Sequence, residues 1–182
     1  MKENKSENLK PLLKLARDAI ESKIYDREIC VNEEIKKKFS KKQSCFVTLS
    51  EDNMLRGCIG SLYANQELWK DVVDNAIHAG FHDYRFLALK ERELDKIKIE
   101  VSVLSIPEKL GIGGQVFDKI DNKMGIILEK AGSSSTFLPQ VWEQIPDKKE
   151  FLEQLSLKAG LNKDSWKTAK ISFYRVDKVE ED

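Results

Sequence analysis

Histidine and cysteine are scarce in this 182-residue chain, and it carries no excess charge and no long apolar run. Each shortage closes a class of function. The two histidines, His78 and His82, stand four apart, a spacing that can set two imidazoles on one helix face as metal ligands. The predicted helix ends near Gly80, however, and the sequence offers no third ligand at a metal-site spacing, so no metal is expected. Three cysteines, Cys30, Cys45 and Cys58, cannot all pair within one chain and lack zinc-motif spacing; they read as reduced cytoplasmic thiols. With 31 basic and 31 acidic residues, the chain as a whole lacks the positive footprint that non-specific nucleic-acid binding requires. Its one basic block, KKKFSKK at 36–42, reads as a solvated helix end and loop. No stretch is apolar enough to span a bilayer, and the opening MKENKSENLK has no signal-like apolar segment, so a cytoplasmic protein is expected.

What is present is a mixture of helical and strand periods. Residues 1–10 read as a polar tail, and 11–182 as one domain. Pro11 near a helix start is followed by Leu12, Leu15, Ala16, Ala19 and Ile20 at helical spacing. Cys45, Val47 and Leu49 alternate with Phe46, Thr48 and Ser50 as a strand, and Glu51-Asp52-Asn53 signals the turn of a hairpin. A helix is predicted over 65–79 and a strand over 97–104, where Ile97, Ile99, Val101 and Val103 alternate with polar residues. Gly111 to Gly114 reads as a loop, Gly125 to Glu129 as a short strand, and Ala131 to Ser135 as a flexible turn. Asp147 with Glu150 caps a helix that Gly160 stops, and Ile171 to Val176 closes the chain as one strand. The class is α+β, with a largely antiparallel sheet flanked by helices.

Within this frame the segment NMLRGCIGSLY, 53–63, carries the most chemistry. Strand alternation puts Arg56, Cys58 and Gly60 on one face, so a guanidinium neighbours a thiol and favours its reactive thiolate. The missing side chain at Gly60 leaves room for an approaching group, and Gly57 and Gly60 permit a bulge or bend. A second reading stands beside this one: Cys58 as a small buried hydrophobe in a glycine-kinked strand. Glu100 and Ser102 project from the polar side of their strand, either into one hollow with Arg56 and Cys58 or simply to solvent. The three tryptophans, Trp69, Trp142 and Trp166, read as packing residues.

The successive segments LRGCIGSL, HDYRFLALKERELDKIKIEVSVLS, TFLPQVWEQ and FLEQLSLKAGL resemble the motifs of the AMMECR family, called in prokaryotes AmmeMemoRadiSam system protein A. The similarity runs from about Leu12 to Glu180 in the same order. It implies an α+β fold with two lobes and a cleft that the LRGCIG segment faces. It also implies association with a Memo-like protein and a radical SAM protein, while the chain itself needs no cofactor. Carried onto this sequence, the resemblance marks Arg56, Gly57, Cys58 and Gly60, then Asp83, Arg85 and Phe86, then Glu100 and Ser102, then Pro139 and Gln140. The expected enzyme uses Cys58, Glu100 and Asp83 for chemistry, on a small molecule or modified macromolecule. Arg56, Gly57, Gly60, Ser61, Arg85, Ser102 and Gln140 bind the substrate. The alternative is a non-catalytic ligand-binding or adaptor module of the same pathway. Two departures from the family pattern stand out: Tyr84 and Leu87 occupy positions often held by proline, and Met124 precedes Gly125 where many members have histidine.

Overall fold

The computed structural model describes residues 5–182, an α+β chain with two four-stranded antiparallel sheets flanked by helices. It divides into two compact units, one formed by the chain up to Leu104 together with Asp177–Asp182, the other by Ser105–Val176. Part of the expected polar tail, residues 1–4, lies outside the described residues; the remainder belongs to the first helix.

In the first unit, α1 (Lys5–Ile24) begins well before Pro11, which lies inside it. The proline deprives the Glu7 carbonyl of its helical donor, at about 3 kcal/mol. Leu12, Leu15, Ala16, Ala19 and Ile20 are all buried, and the two leucines and the isoleucine alone, at about 1.5–3 kcal/mol each, outweigh that loss. Asn32 caps α2 (Glu33–Lys38) by accepting from the Glu34 N–H, and Lys36, Lys37 and Lys38 occupy its last turn, where cations suit the helix dipole. Strands β1 (Cys45–Glu51) and β2 (Met54–Gly60) form a hairpin whose turn residues, Asp52 and Asn53, both have positive φ (52° and 62°). That is the turn whose twist matches a two-residue hairpin, and Asp and Asn tolerate it. After α3 (Leu68–Phe81) and a 3₁₀ turn at Glu91–Glu93, β3 (Ile97–Leu104) pairs with β1. The sheet order is β2-β1-β3-β8, its last strand being β8 (Val176–Glu180). Cys45, Val47, Leu49, Ile99 and Val101 pack with α1 and α3 into one core.

The second unit contains β4 (Glu108–Ile112), α4 (Gly113–Val116), β5 (Gly125–Lys130), β6 (Ser133–Phe137), α5 (Val141–Gln144), α6 (Lys148–Lys158) and β7 (Lys170–Tyr174), in sheet order β4-β7-β5-β6. Ile126, Leu128, Phe151, Leu152, Trp142, Trp166 and Ile171 form its core, with Trp142 stacked on Phe151 at 3.7 Å between centroids. Three local expectations change here. Gly111 to Gly114 is not all loop: Gly111 and Ile112 end β4, and Gly113 and Gly114 open α4. The serines expected to form a flexible turn are the edge strand β6, in register with β5. The final strand is two strands in different sheets, separated at Arg175. Strand β4 and the split of the last strand depend on partners distant in sequence, and β6 on its register with β5, none of which the weak strand preference of glycine and serine reports. As expected, the Asp147 side chain accepts from the Glu150 N–H, and Gly160, at φ 73°, follows the end of α6.

Candidate functional site

Cys58 lies on β2, the outer strand of its sheet. Thr48 opposes Cys58 and Leu49 opposes Gly57, but Ser50 opposes Leu55, so Arg56 is the extra residue of a β-bulge. The bulge ends strict alternation and sends Arg56 away from the thiol. Its Nε donates to Glu93 Oε1 at 2.8 Å and its Nη2 to the Leu87 carbonyl at 2.9 Å. The expected activating partner of Cys58 is therefore engaged elsewhere, on the loop that follows α3.

An outer strand leaves backbone groups without a ladder partner. At Cys58 two side chains supply the missing partner. Asp83 Oδ2 accepts the Cys58 N–H at 2.9 Å, and Arg85 Nη2 donates to the Cys58 carbonyl at 3.2 Å. Asp83 and Arg85 are also joined to each other, through Oδ1 with Nε at 2.9 Å and Oδ2 with Nη2 at 2.7 Å. Asp83 is almost fully buried, and the Arg85 hydrogen bond, together with the Cys58 N–H, holds its carboxyl well below the usual carboxylate range. Asp83, expected to handle protons, thus holds the Cys58 backbone in place with both carboxylate oxygens occupied by donors. Arg85 shares in that clamp while its side chain remains 42% exposed.

The side chain of Cys58 points away from the helices. Cys58, Thr48 and Glu100 occupy one row across β2, β1 and β3, as register partners of one another. Thr48 Oγ1 donates to Cys58 Sγ at 3.3 Å. Glu100 receives Ser102 Oγ on Oε1 at 3.0 Å and the Lys178 ammonium, from β8, on Oε2 at 2.7 Å. Thiol, hydroxyl, carboxylate and ammonium thus follow one another along the polar face of the sheet. Burial pushes the Cys58 thiol above its ordinary value; the Thr48 hydrogen bond and the Arg85 charge pull it down, and Asp83 and Glu100 raise it further. The upward effects prevail, so the resting group is a protonated thiol. Beside this face, Thr48, Ser50, Asn53, Lys98 and Glu100 line a cavity of about 270 Å³.

Other expected site residues have structural work. Gly57 faces α3, and a Cβ there would lie 2.2 Å from the Ala79 carbonyl oxygen, so glycine sets how closely helix and strand approach. Gly60 is not an open doorway: a Cβ would lie 2.3 Å from Cγ of Phe46, whose ring rests on it. Ser61 Oγ lies 3.0 Å from both oxygens of buried Asp71, which also accepts from the Cys45 N–H and from Asn75. Phe86 stacks against guanidinium groups, with Arg56 and Arg85 at 5.9 and 5.5 Å from its ring centre. Gln140 is exposed at the start of α5, and Pro139 precedes it; both belong to the second unit, whereas Cys58 and its neighbours belong to the first. Tyr84 and Leu87 are highly exposed, and Met124 is buried, its carbonyl accepting from the Trp142 indole. His78 and His82 have ring centres 5.3 Å apart, and the described residues contain no cluster of three or more side chains suited to a metal ion.

Sequence reasoning passed over Thr48, Glu93 and Lys178. Thr48 was within reach, because a two-residue hairpin turn fixes its register against Cys58 once one residue of bulge is allowed. Glu93 and Lys178 are brought to the site by a loop and by a distant strand, which no local pattern reports.

The chain resembles several known proteins along nearly its whole length. It is 39% identical over 168 residues to protein NEQ441 of Nanoarchaeum equitans, spanning 90% of this chain and 93% of that one. Protein Mbar_A1807 of Methanosarcina barkeri is 37% identical over 170 residues, covering 89% of this chain and 84% of its own. The crystal structure of uncharacterized protein PH0010 from Pyrococcus horikoshii superposes with a TM-score of 0.86 at 34% identity, covering 97% of this chain and 93% of that one. Since the AMMECR1 family model also matches residues 13–179, which include the clamp and the polar row, the chain belongs to the AMMECR1 family.

Proposed function

We propose that this protein is a Cys58-dependent enzyme whose reacting group is the thiol at the end of the Cys58–Thr48–Glu100 row. The observation that carries this reading is the clamp: an ion pair between buried Asp83 and the partly exposed Arg85 is committed to the two backbone groups of one residue. Packing a small hydrophobe requires no such fixation, whereas positioning a reactive atom does. In this reading Thr48 steadies the sulfur by donating to it, Glu100, held by Ser102 and Lys178, is the base of the row, and Arg85 stabilises the thiolate. The substrate is a small molecule or a modified macromolecule, handled together with a Memo-like protein and a radical SAM protein that supplies the radical chemistry.

A specific observation favours a second reading, a ligand-binding or adaptor module of the same pathway. Arg56 serves Glu93 instead of the sulfur, and burial pushes the Cys58 thiol up. Replacing Cys58 by serine separates the two, because serine keeps the size and hydrogen bonding of the site but is a far poorer nucleophile. Under the enzyme reading the variant folds and loses the pathway's product; a folded variant with full product formation supports the adaptor.

A further inference from the structure

A second cavity of the first unit, of about 400 Å³, lies apart from the thiol row: none of Cys58, Thr48, Glu100 or Ser102 lines it. Its walls carry four cations, Arg56, Lys90, Arg92 and Lys96, and two carboxylates, Glu51 and Glu93, a difference of two positive charges. Neither carboxylate offsets the excess further. Glu93 is consumed by Arg56 and by the Lys90 backbone N–H at 2.8 Å, and Glu51 only approaches Lys96, at 3.9 Å. Lys90, Arg92 and Lys96 are exposed and close together on the segment that contains the Glu91–Glu93 turn. Arg56 is different, because its side chain is 15% exposed and its Nη1 is buried with no hydrogen-bond partner among the described residues. A buried guanidinium N–H left unpaired is unfavourable and calls for an acceptor.

We infer that this cavity is a binding site for a phosphate group, with Arg56 as its fixed anchor and Lys90, Arg92 and Lys96 closing around the anion. The charge decides between anions. A phosphate monoester carries about −1.5 to −2 near neutral pH and balances the excess of two, whereas one carboxylate leaves a cation over. A planar guanidinium supported on two sides by Glu93 and the Leu87 carbonyl is also preorganised for an oxyanion, which flexible ammonium groups alone are not. The ligand class is therefore a small phosphorylated molecule or a phosphorylated group on a larger one.

The test is an amide chemical-shift titration of the full chain with inorganic phosphate, beside glycerol 3-phosphate as a monoester and acetate as the single-carboxylate arm, at matched ionic strength. Saturable shifts at Arg56, Ala88, Lys90 and Arg92 with both phosphates, and weaker ones with acetate, are expected. The double variant Lys90→Glu/Arg92→Glu changes only exposed side chains; it should weaken phosphate binding on the order of tenfold or more while leaving the melting temperature and the labelling of Cys58 as in the wild type. Arg56→Lys keeps the charge but loses the fork, and should also weaken binding. Shifts that fail to saturate, an undiminished response in the double variant, or acetate binding as tightly as phosphate would each overturn the assignment.

Discussion

At Cys58, four groups from three parts of the chain converge on one residue: Asp83 on its nitrogen, Arg85 on its oxygen, and Thr48 on its sulfur, with Glu100 beyond Thr48 in the row. Reactivity follows from these contacts. Cys30 is exposed, Cys58 half-buried with its thiol pushed up, and Cys45 buried with its thiol pushed further up by desolvation and by Asp71. Limiting iodoacetamide on the folded protein should therefore label Cys30 first, Cys58 more slowly and Cys45 last, as read by peptide mass spectrometry. This reverses the expectation from the arginine two residues away, because the bulge turns that arginine to Glu93. Thr48→Val removes the hydrogen bond that Thr48 donates to the sulfur, worth about 1 kcal/mol. The pH midpoint of Cys58 labelling should rise by up to about one unit; an unchanged midpoint would show that Thr48 does not tune the thiol. Asp83→Ala leaves the Cys58 N–H without its acceptor and should destabilise the fold by about 2 kcal/mol near neutral pH. Since the Asp83 carboxyl titrates lower in the folded chain than in the unfolded one, its contribution is present above the ordinary carboxylate range and lost as pH falls. The difference between wild type and variant in urea melts should narrow below about pH 4.

Elements in this fold are positioned by close backbone approach as much as by apolar burial. Strand β2 meets the end of α3 at Gly57, where any Cβ would strike a backbone oxygen that cannot swing aside. Gly57→Ala should lower stability by about 1–3 kcal/mol, measured as a drop in melting temperature; a neutral substitution would mean that helix and strand sit further apart than described. Gly60→Val collides with Phe46, so its failure would report a packing clash and says nothing about access to a cleft. Much of this scale was legible in the sequence. Apolar alternation in β1 and β3 and the stripe of α1 were plain, because each element buries one face and exposes the other. The hairpin's bulge was less so: Gly57 permits it, but only the register of Ser50 against Leu55 assigns Arg56 as the extra residue. Strands β4 and β6 were not legible, since glycine and serine have weak strand preference and gain it here from β7 and β5.

For the molecule as a whole, the family could be recognised from its ordered motifs, and the comparisons establish it over residues 13–179. What the motifs do was harder to read. Residues expected to bind the substrate divide into a backbone clamp (Arg85, joined by Asp83, which was expected to handle protons), packing glycines (Gly57, Gly60), a loop support (Ser61) and an exposed residue of the second unit (Gln140). A motif reports that a residue matters; burial and hydrogen bonding report how. Among the described residues no helix is long and apolar enough to cross a membrane. The proposed role of the clamp and the row is to make the Cys58 thiol react. It is tested most directly in cells lacking the gene, by comparing metabolites and modified RNAs after complementation with the wild type or with Cys58→Ser. The two proteins should first be matched in melting temperature and amount. The serine variant should leave the profile of the gene-less cells unchanged; a profile fully restored by Cys58→Ser would overturn the enzyme reading.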